Sequence, residues 1–291
     1  MGIGLLRVGI ETVWRALLLS VFLSVAAAAQ TGTDAVADPN SVLANEIVGV
    51  TRGDYSISGL VTRRPEAKVF KHGIALFPGY PSIMKLREEA GQPRFELGGN
   101  FLIRARRHWV DADTLVISVD APSDEWRSFS QLFRAQPRYG ADVAALLAEA
   151  GRRYGIARWT LVGHSEGTVS AFHAARMNPA LVPRLILTAS LMVAGRNGPG
   201  LSGVAWNELS SRLLWVHHAD DPCAYTPYHE ARRVAELTHG PLLTVRGGGP
   251  ARSAPCEARS AHGFVGVERE TVAAMLEWVR TGQVPAEVGG K

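Results

Sequence analysis

Ser165 is the residue whose surroundings most clearly point to chemistry. It lies in the pentad Gly163-His164-Ser165-Glu166-Gly167, after an apolar, β-rich run (Trp159-Thr160-Leu161-Val162) and before a helical pattern from Thr168 to Met177. A strand that turns straight into a helix leaves no room for side chains two positions either side of the turn. The pentad has glycine at both places, and backbone strain there holds the serine Oγ out over the sheet edge. This strand–turn–helix context predicts Ser165 as a nucleophile.

A serine hydroxyl attacks only when a base takes its proton and an acid orients the base. In chains built around such an elbow the order is serine, acid, histidine, with the acid ending a later strand and the histidine in a loop before the last helix. After the apolar run Leu213–His217 comes Ala219-Asp220-Asp221-Pro222, and before the terminal helical pattern comes Ser260-Ala261-His262-Gly263-Phe264. The segment after Leu185–Leu191 carries no Asp or Glu near its start, so that alternative position for the acid is empty.

The elements that position these residues follow from periodicity. Ile47 to Val61 alternates apolar and polar residues around Gly53-Asp54, which predicts an antiparallel hairpin. His72–Phe77 and Thr114–Val119 are near-continuous apolar runs of buried strands, and further strands are expected at Leu185–Leu191, Leu213–His217 and Leu242–Val245. Helical spacing covers Asn100–Trp109, Tyr139–Tyr154, Pro227–Leu237 and Glu268–Arg280, while Pro122–Arg138 is expected as a loop. Alternating strands and helices predict an α/β protein with a doubly wound, mostly parallel sheet, edged by the antiparallel N-terminal strands. Ala194–Arg212 is too short for a cap domain, which predicts an open site. Trp126, Phe129, Leu132 and Phe133 are candidates either for an acyl pocket or for ordinary loop packing.

The segment from about residue 45 to 280 resembles the α/β-hydrolases, on the GHSEG pentad, Phe77-Pro78-Gly79-Tyr80-Pro81, His217-His218-Ala219-Asp220-Asp221-Pro222 and Ser260-Ala261-His262-Gly263-Phe264. The resemblance implies Ser165 as nucleophile, His262 as general base and then acid, and one Asp of the pair as orienter. It favours Asp221, directly before Pro222, over Asp220. It also places the second oxyanion N–H on Tyr80, after Gly79, beside that of Glu166. His217-His218 departs from the usual His-Gly at that place. The implied activity is hydrolysis of a small-molecule carboxylic ester by a serine hydrolase without cofactor or metal. The alternatives are an amidase or peptidase with the same triad, and a binding protein on an inactive hydrolase fold.

With 291 residues, 46% of them hydrophobic and 20% charged, the chain can bury a full core and does not read as disordered. The formal charge of +4 comes from scattered pairs such as Arg63–Arg64, Arg106–Arg107 and Arg152–Arg153, expected on the surface, with no clustered patch of the kind nucleic acid requires. Gly247-Gly248-Gly249-Pro250 lacks the ending of a phosphate loop, and His164, His173, His217 and His218 lack metal-ligand spacing. Nothing in the sequence fixes the oligomeric state.

Arg7 and Arg15 precede an apolar run from Ala16 to Val25, and Ala27-Ala28-Ala29 offers a cleavage site before Gln30. Residues 1–29 are therefore expected as a cleaved export signal, 30–40 as a flexible lead and 41–291 as one domain, periplasmic or secreted and without a stable membrane anchor. An exported chain with two cysteines, Cys223 and Cys256, favours a disulfide. The two lie in the loops of the expected acid and of His262, which the chemistry requires to meet.

Overall fold

The computed structural model describes residues 42–209 and 211–290; the expected signal and lead lie outside the described residues. In chain order the strands are β1 (Ala44–Arg52), β2 (Tyr55–Arg63), β3 (His72–Phe77), β4 (Arg87–Glu89), β5 (Gln92–Arg94), β6 (Thr114–Val119), β7 (Trp159–His164), β8 (Arg184–Thr188), β9 (Arg212–His218), β10 (Leu242–Arg246) and β11 (Glu287–Gly289). The helices are α1 (Phe101–Arg104), α2 (Gln131–Arg134), α3 (Pro137–Tyr154), α4 (Gly167–Met177), α5 (Tyr228–Thr238) and α6 (Glu268–Thr281).

Nine strands form one sheet in the order β1-β2-β6-β3-β7-β8-β9-β10-β11, and β4-β5 form a separate small hairpin. The first two strands are the expected hairpin, closed by Gly53-Asp54 with Arg52 opposite Tyr55, and β2 runs antiparallel to β6. From β6 onward every pairing is parallel. The apolar runs are continuous because both faces of the sheet are covered. Ala75 and Phe77 of β3 join the core on one face with residues of α3, α4 and α5. Ile74 and Leu76 join the core on the other with residues of α1 and α6.

Four expectations change. The helical spacing over Asn100–Trp109 yields one α turn and a 3-10 turn at Arg106–His108. The shift to the tighter helix buries both Trp109 and Arg106, whose guanidinium donates to Thr62 Oγ1 and Ile103 O, so Arg106 is a core residue and not a surface charge. The strand expected to Leu191 stops at Thr188, since Ala189 has a positive φ of 41°. The loop 122–138 contains a 3-10 turn and α2, which Ser130 caps by accepting from the Phe133 N–H. Among the described residues no helix is long and apolar enough to cross a membrane.

Candidate active site

Parallel strands deliver their carboxyl ends to one edge, and the registers align the ends that matter. Phe77 pairs with Gly163, and His164 with Thr188, so the loop after β3 and the turn after β7 leave the sheet side by side. Ser165 sits in that turn with φ +53°, its N–H donating to Thr188 O at 3.0 Å. Both glycines of the pentad are forced by contact. A Cβ on Gly163 would lie 2.6 Å from Thr168 Cα, and one on Gly167 would lie 2.0 Å from Phe77 O. Gly79 packs against Ser165 itself: a Cβ there would lie 3.1 Å from Ser165 Cβ. Among the described residues, neither the Tyr80 N–H nor the Glu166 N–H donates to a protein acceptor.

Asp221 and His262, the expected acid and histidine, are in contact. His262 Nδ1 lies 3.0 Å from Asp221 Oδ2, with both side chains buried. Asp221 Oδ1 accepts from the Cys223 N–H at 2.9 Å, and Oδ2 also accepts from Thr226 Oγ1 at 2.8 Å. Burial pushes the Asp221 carboxyl up, but the His262 bond and charge, the Cys223 N–H and the Thr226 hydroxyl outweigh it and hold it below the usual range. Asp220, in contrast, is exposed, and its backbone N–H donates to His218 Nδ1.

His262 Nε2 has no hydrogen-bond partner, so the Ser165–His262 bond is not formed in this structure. The imidazole nevertheless lies at the elbow, its ring centroid 5.1 Å from that of His164, the residue before Ser165. Unliganded hydrolytic sites often hold this bond long, tightening it only around substrate. The His262 loop is itself braced. Ser260 Oγ accepts from the His262 N–H, a Cβ on Gly263 would lie 1.9 Å from Ala258 O, and Arg104 donates to Gly263 O at 2.7 Å.

The remaining histidines of the edge are structural. His164 Nδ1 meets Thr188 Oγ1, whose hydroxyl donates on to Gly163 O; burial holds its pKa well below the usual value. His217 Nε2 accepts from the Ser190 N–H at 2.7 Å, and burial lowers its pKa to about 4. His218 accepts from the Asp220 N–H and lies 2.9 Å from Gly247 O, so the His-His pair stitches neighbouring loops together. Among the described residues no group of three or more His, Cys, Asp or Glu is placed to hold a metal ion.

Cys223 and Cys256 form a disulfide with Cα atoms 4.6 Å apart. It lines a cavity of about 340 Å³ beside Ser165, walled by Tyr80, Leu191, Val193 and Tyr225, with Gln131 and Glu166 also reaching it. Phe129 and Phe133 are not in its wall but packed in the core with Tyr139, Trp126 is packed against that core, and Leu132 is exposed. Gln131, Arg134 and Thr226 are the site residues that motif reading did not reach.

Solved structures match this fold over most of the chain. Est1E from Butyrivibrio proteoclasticus with bound ferulic acid superposes with a TM-score of 0.54 at 12% identity, over 80% of this chain and 99% of that one. The chain has the α/β-hydrolase fold. Naproxen esterase (carboxylesterase NP) from Bacillus subtilis matches with a TM-score of 0.50 at 9% identity, covering 83% of this chain and 92% of that one. Pyrococcus horikoshii acylaminoacyl peptidase matches with 0.52 at 13% identity, over 86% of this chain but only 44% of the peptidase. No family model matches the sequence, and no curated protein does. Within the α/β-hydrolase fold, the likeness at these identities is one of architecture, and the case for the chemistry comes from the residues above.

Proposed function

We propose that the protein is an exported serine hydrolase that cleaves carboxylic esters through an acyl-enzyme intermediate. Ser165 is the nucleophile, His262 the general base and then acid, Asp221 the orienting acid, and the N–H groups of Tyr80 and Glu166 the oxyanion donors. The observation that carries this reading is the buried 3.0 Å contact of Asp221 with His262 at the same edge as a strained Ser165. The similar structures include an esterase and a peptidase, which supports hydrolysis as the reaction class.

Asp221 accepts a hydrogen bond from the Nδ1–H of His262, holding the tautomer whose Nε2 lone pair is free to accept the Ser165 proton. The serine oxygen attacks the ester carbonyl, and the oxyanion forms between the Glu166 N–H at the head of α4 and the Tyr80 N–H of the loop after β3. His262 then returns the proton to the departing alkoxide, leaving an acyl-serine. Water, deprotonated by the same imidazole, releases the acid and restores the enzyme. The cavity of about 340 Å³ is near the lower limit for ligand pockets, which fits a short apolar or aryl acyl group better than a long chain. Ester is favoured over amine-bearing peptide because the Glu166 carboxylate beside the nucleophile is already engaged by Gln131 and faces Arg134.

Export is supported by the basic and apolar character of residues 7–25 and by the disulfide, a bond of oxidising compartments. The test of function is hydrolysis of aryl esters graded by acyl length, with aminoacyl anilides alongside and Ser165→Ala as control. Turnover of short acyl esters, lost in the control, is expected. Anilide turnover matching that of esters, or full activity in Ser165→Ala, overturns the proposal.

A further inference from the structure

One buried cation beside the elbow has no part in the steps above. Arg134, the last residue of α2, is fully buried. Its Nη1 donates to Ser82 Oγ at 3.0 Å and to Ser170 Oγ at 2.8 Å, and its Nη2 donates to Phe129 O at 2.9 Å. The guanidinium carbon lies 4.0 Å from the centroid of the Phe129 ring. Ser82 Oγ donates in turn to Pro78 O, so this single side chain grips both the loop that carries Tyr80 and the helix that follows Ser165.

The same guanidinium faces Glu166, with Nη2 3.9 Å from Oε1. Glu166 has two opposed effects on the proposed reaction. Its N–H favours the oxyanion, while its carboxylate, almost wholly buried one residue from the nucleophile, opposes any negative charge developing there. In a low-dielectric site that opposition is felt far more strongly than in water. Gln131 Nε2 donates to Oε1 at 3.2 Å, but a neutral amide cannot cancel the charge. A guanidinium can, since it stays protonated at any working pH.

We propose that Arg134 is a positioning residue that neutralises Glu166, so that the oxyanion forms without an opposing charge, while its fork clamps the residue 78–82 loop onto α4. This inference rests on Ser165 being the nucleophile. The reason for a carboxylate in this position would then be to hold Arg134, and through it the loop, in place.

The experiment compares Arg134→Met, Glu166→Gln and the double variant. The readouts are kcat, KM and the rate at which a fluorophosphonate labels Ser165, which places a negative oxygen in the same cradle. Arg134→Met should lower kcat and the labelling rate by about 100-fold, the scale of losing an oxyanion donor, with KM moving less than about threefold. Adding Glu166→Gln should recover at least about tenfold of that loss, because no uncompensated carboxylate then remains. A purely structural role for Arg134 predicts a double variant as slow as the single one, and that result overturns the inference. Where Arg134→Met does not fold, the double variant, which buries no lone charge, is compared with the wild type: within about tenfold supports the inference, and a folded double variant about 100-fold slower or worse overturns it. Labelling of wild-type Ser165 reports separately on the functional reading. A wild type never labelled there ends both, whereas a labelled wild type with an unrescued double variant ends only the role of Arg134.

Discussion

The Thr226 hydroxyl donates to Asp221 Oδ2 at 2.8 Å, the same carboxylate oxygen that faces His262 Nδ1. Thr226 Oγ1 also lies 3.2 Å from that nitrogen, so it fixes both the charge on the acid and the angle of the imidazole. Thr226→Val should lower kcat about tenfold, the effect of a single hydrogen bond to a charged group, with KM little changed. The Asp221 carboxyl is held low in part by this donor, so losing it lets burial push that carboxyl upward. Thr226→Ser should restore kcat. A Thr226→Val enzyme with wild-type kcat would remove Thr226 from the site.

In the proposed triad the two neighbouring aspartates have separate tasks. Asp221 meets the imidazole, whereas Asp220 is exposed and its backbone N–H donates to His218 Nδ1. Asp221→Asn should cost about 10⁴ in kcat, because an amide in that place favours the wrong tautomer of His262. Asp220→Asn should stay within about threefold of wild type. Steady-state kinetics on an aryl ester ranks the two, and the opposite ranking refutes the assignment of the acid.

Stability should fall on acidification. His164 and His217 are fully buried and neutral, with His217 lowered to about 4 and His164 held well below 6.5. The unfolded chain takes up a proton on each from about pH 6.5 downward, and the folded chain does not, so this stability is present above pH 6.5 and is lost as pH falls toward 4. For His217 the shift from 6.5 corresponds to about 3 kcal/mol at its full extent. Asp120 acts in the opposite sense. Burial raises its carboxyl to about 6 against three backbone N–H donors, so the folded state binds that proton first. Two histidines against one carboxyl still leave a net loss. Denaturant titrations at pH 7 and pH 5 should show a lower midpoint at pH 5, and equal midpoints would contradict the neutral state of these imidazoles.

The fold was largely legible because its strands bury both faces. HGIALF and TLVISV are short apolar runs of the kind buried strands carry, and β3 and β6 coincide with them residue for residue. The pentad was legible because glycine at 163 and 167 is a steric necessity, visible as composition. What escaped reading depends on contacts distant in sequence. β11 is three residues long and exists through its pairing with β10. Arg106 and Arg134 carry charges that pattern alone assigns to solvent; their burial depends on Thr62 in one case and on Ser82, Ser170 and Phe129 in the other. Thr226 lies five residues beyond Asp221 in a loop without periodicity, and no local signal marks it.

The disulfide is joined to the candidate triad by a single backbone bond, since Cys223 N–H donates to Asp221 Oδ1 while Cys256 belongs to the loop that ends in His262. Cross-linking residues 33 apart should stabilise the fold by about 3–4 kcal/mol through the unfolded chain's lost freedom. In a domain of this size that corresponds to a fall of about 10 °C in melting temperature on reduction or in Cys256→Ser. Activity should fall separately and earlier. Below the melting transition, freeing the Cys256 loop lets His262 drift from Asp221, and displacements near 1 Å already cost about 100-fold in well-oriented reactions. The measurement is kcat at 25 °C together with thermal melting, with and without reductant, preceded by intact mass of the non-reduced protein. A reduced enzyme that melts lower yet keeps full kcat would limit the bond to stability, and two thiols that alkylate without denaturation would show that it does not form.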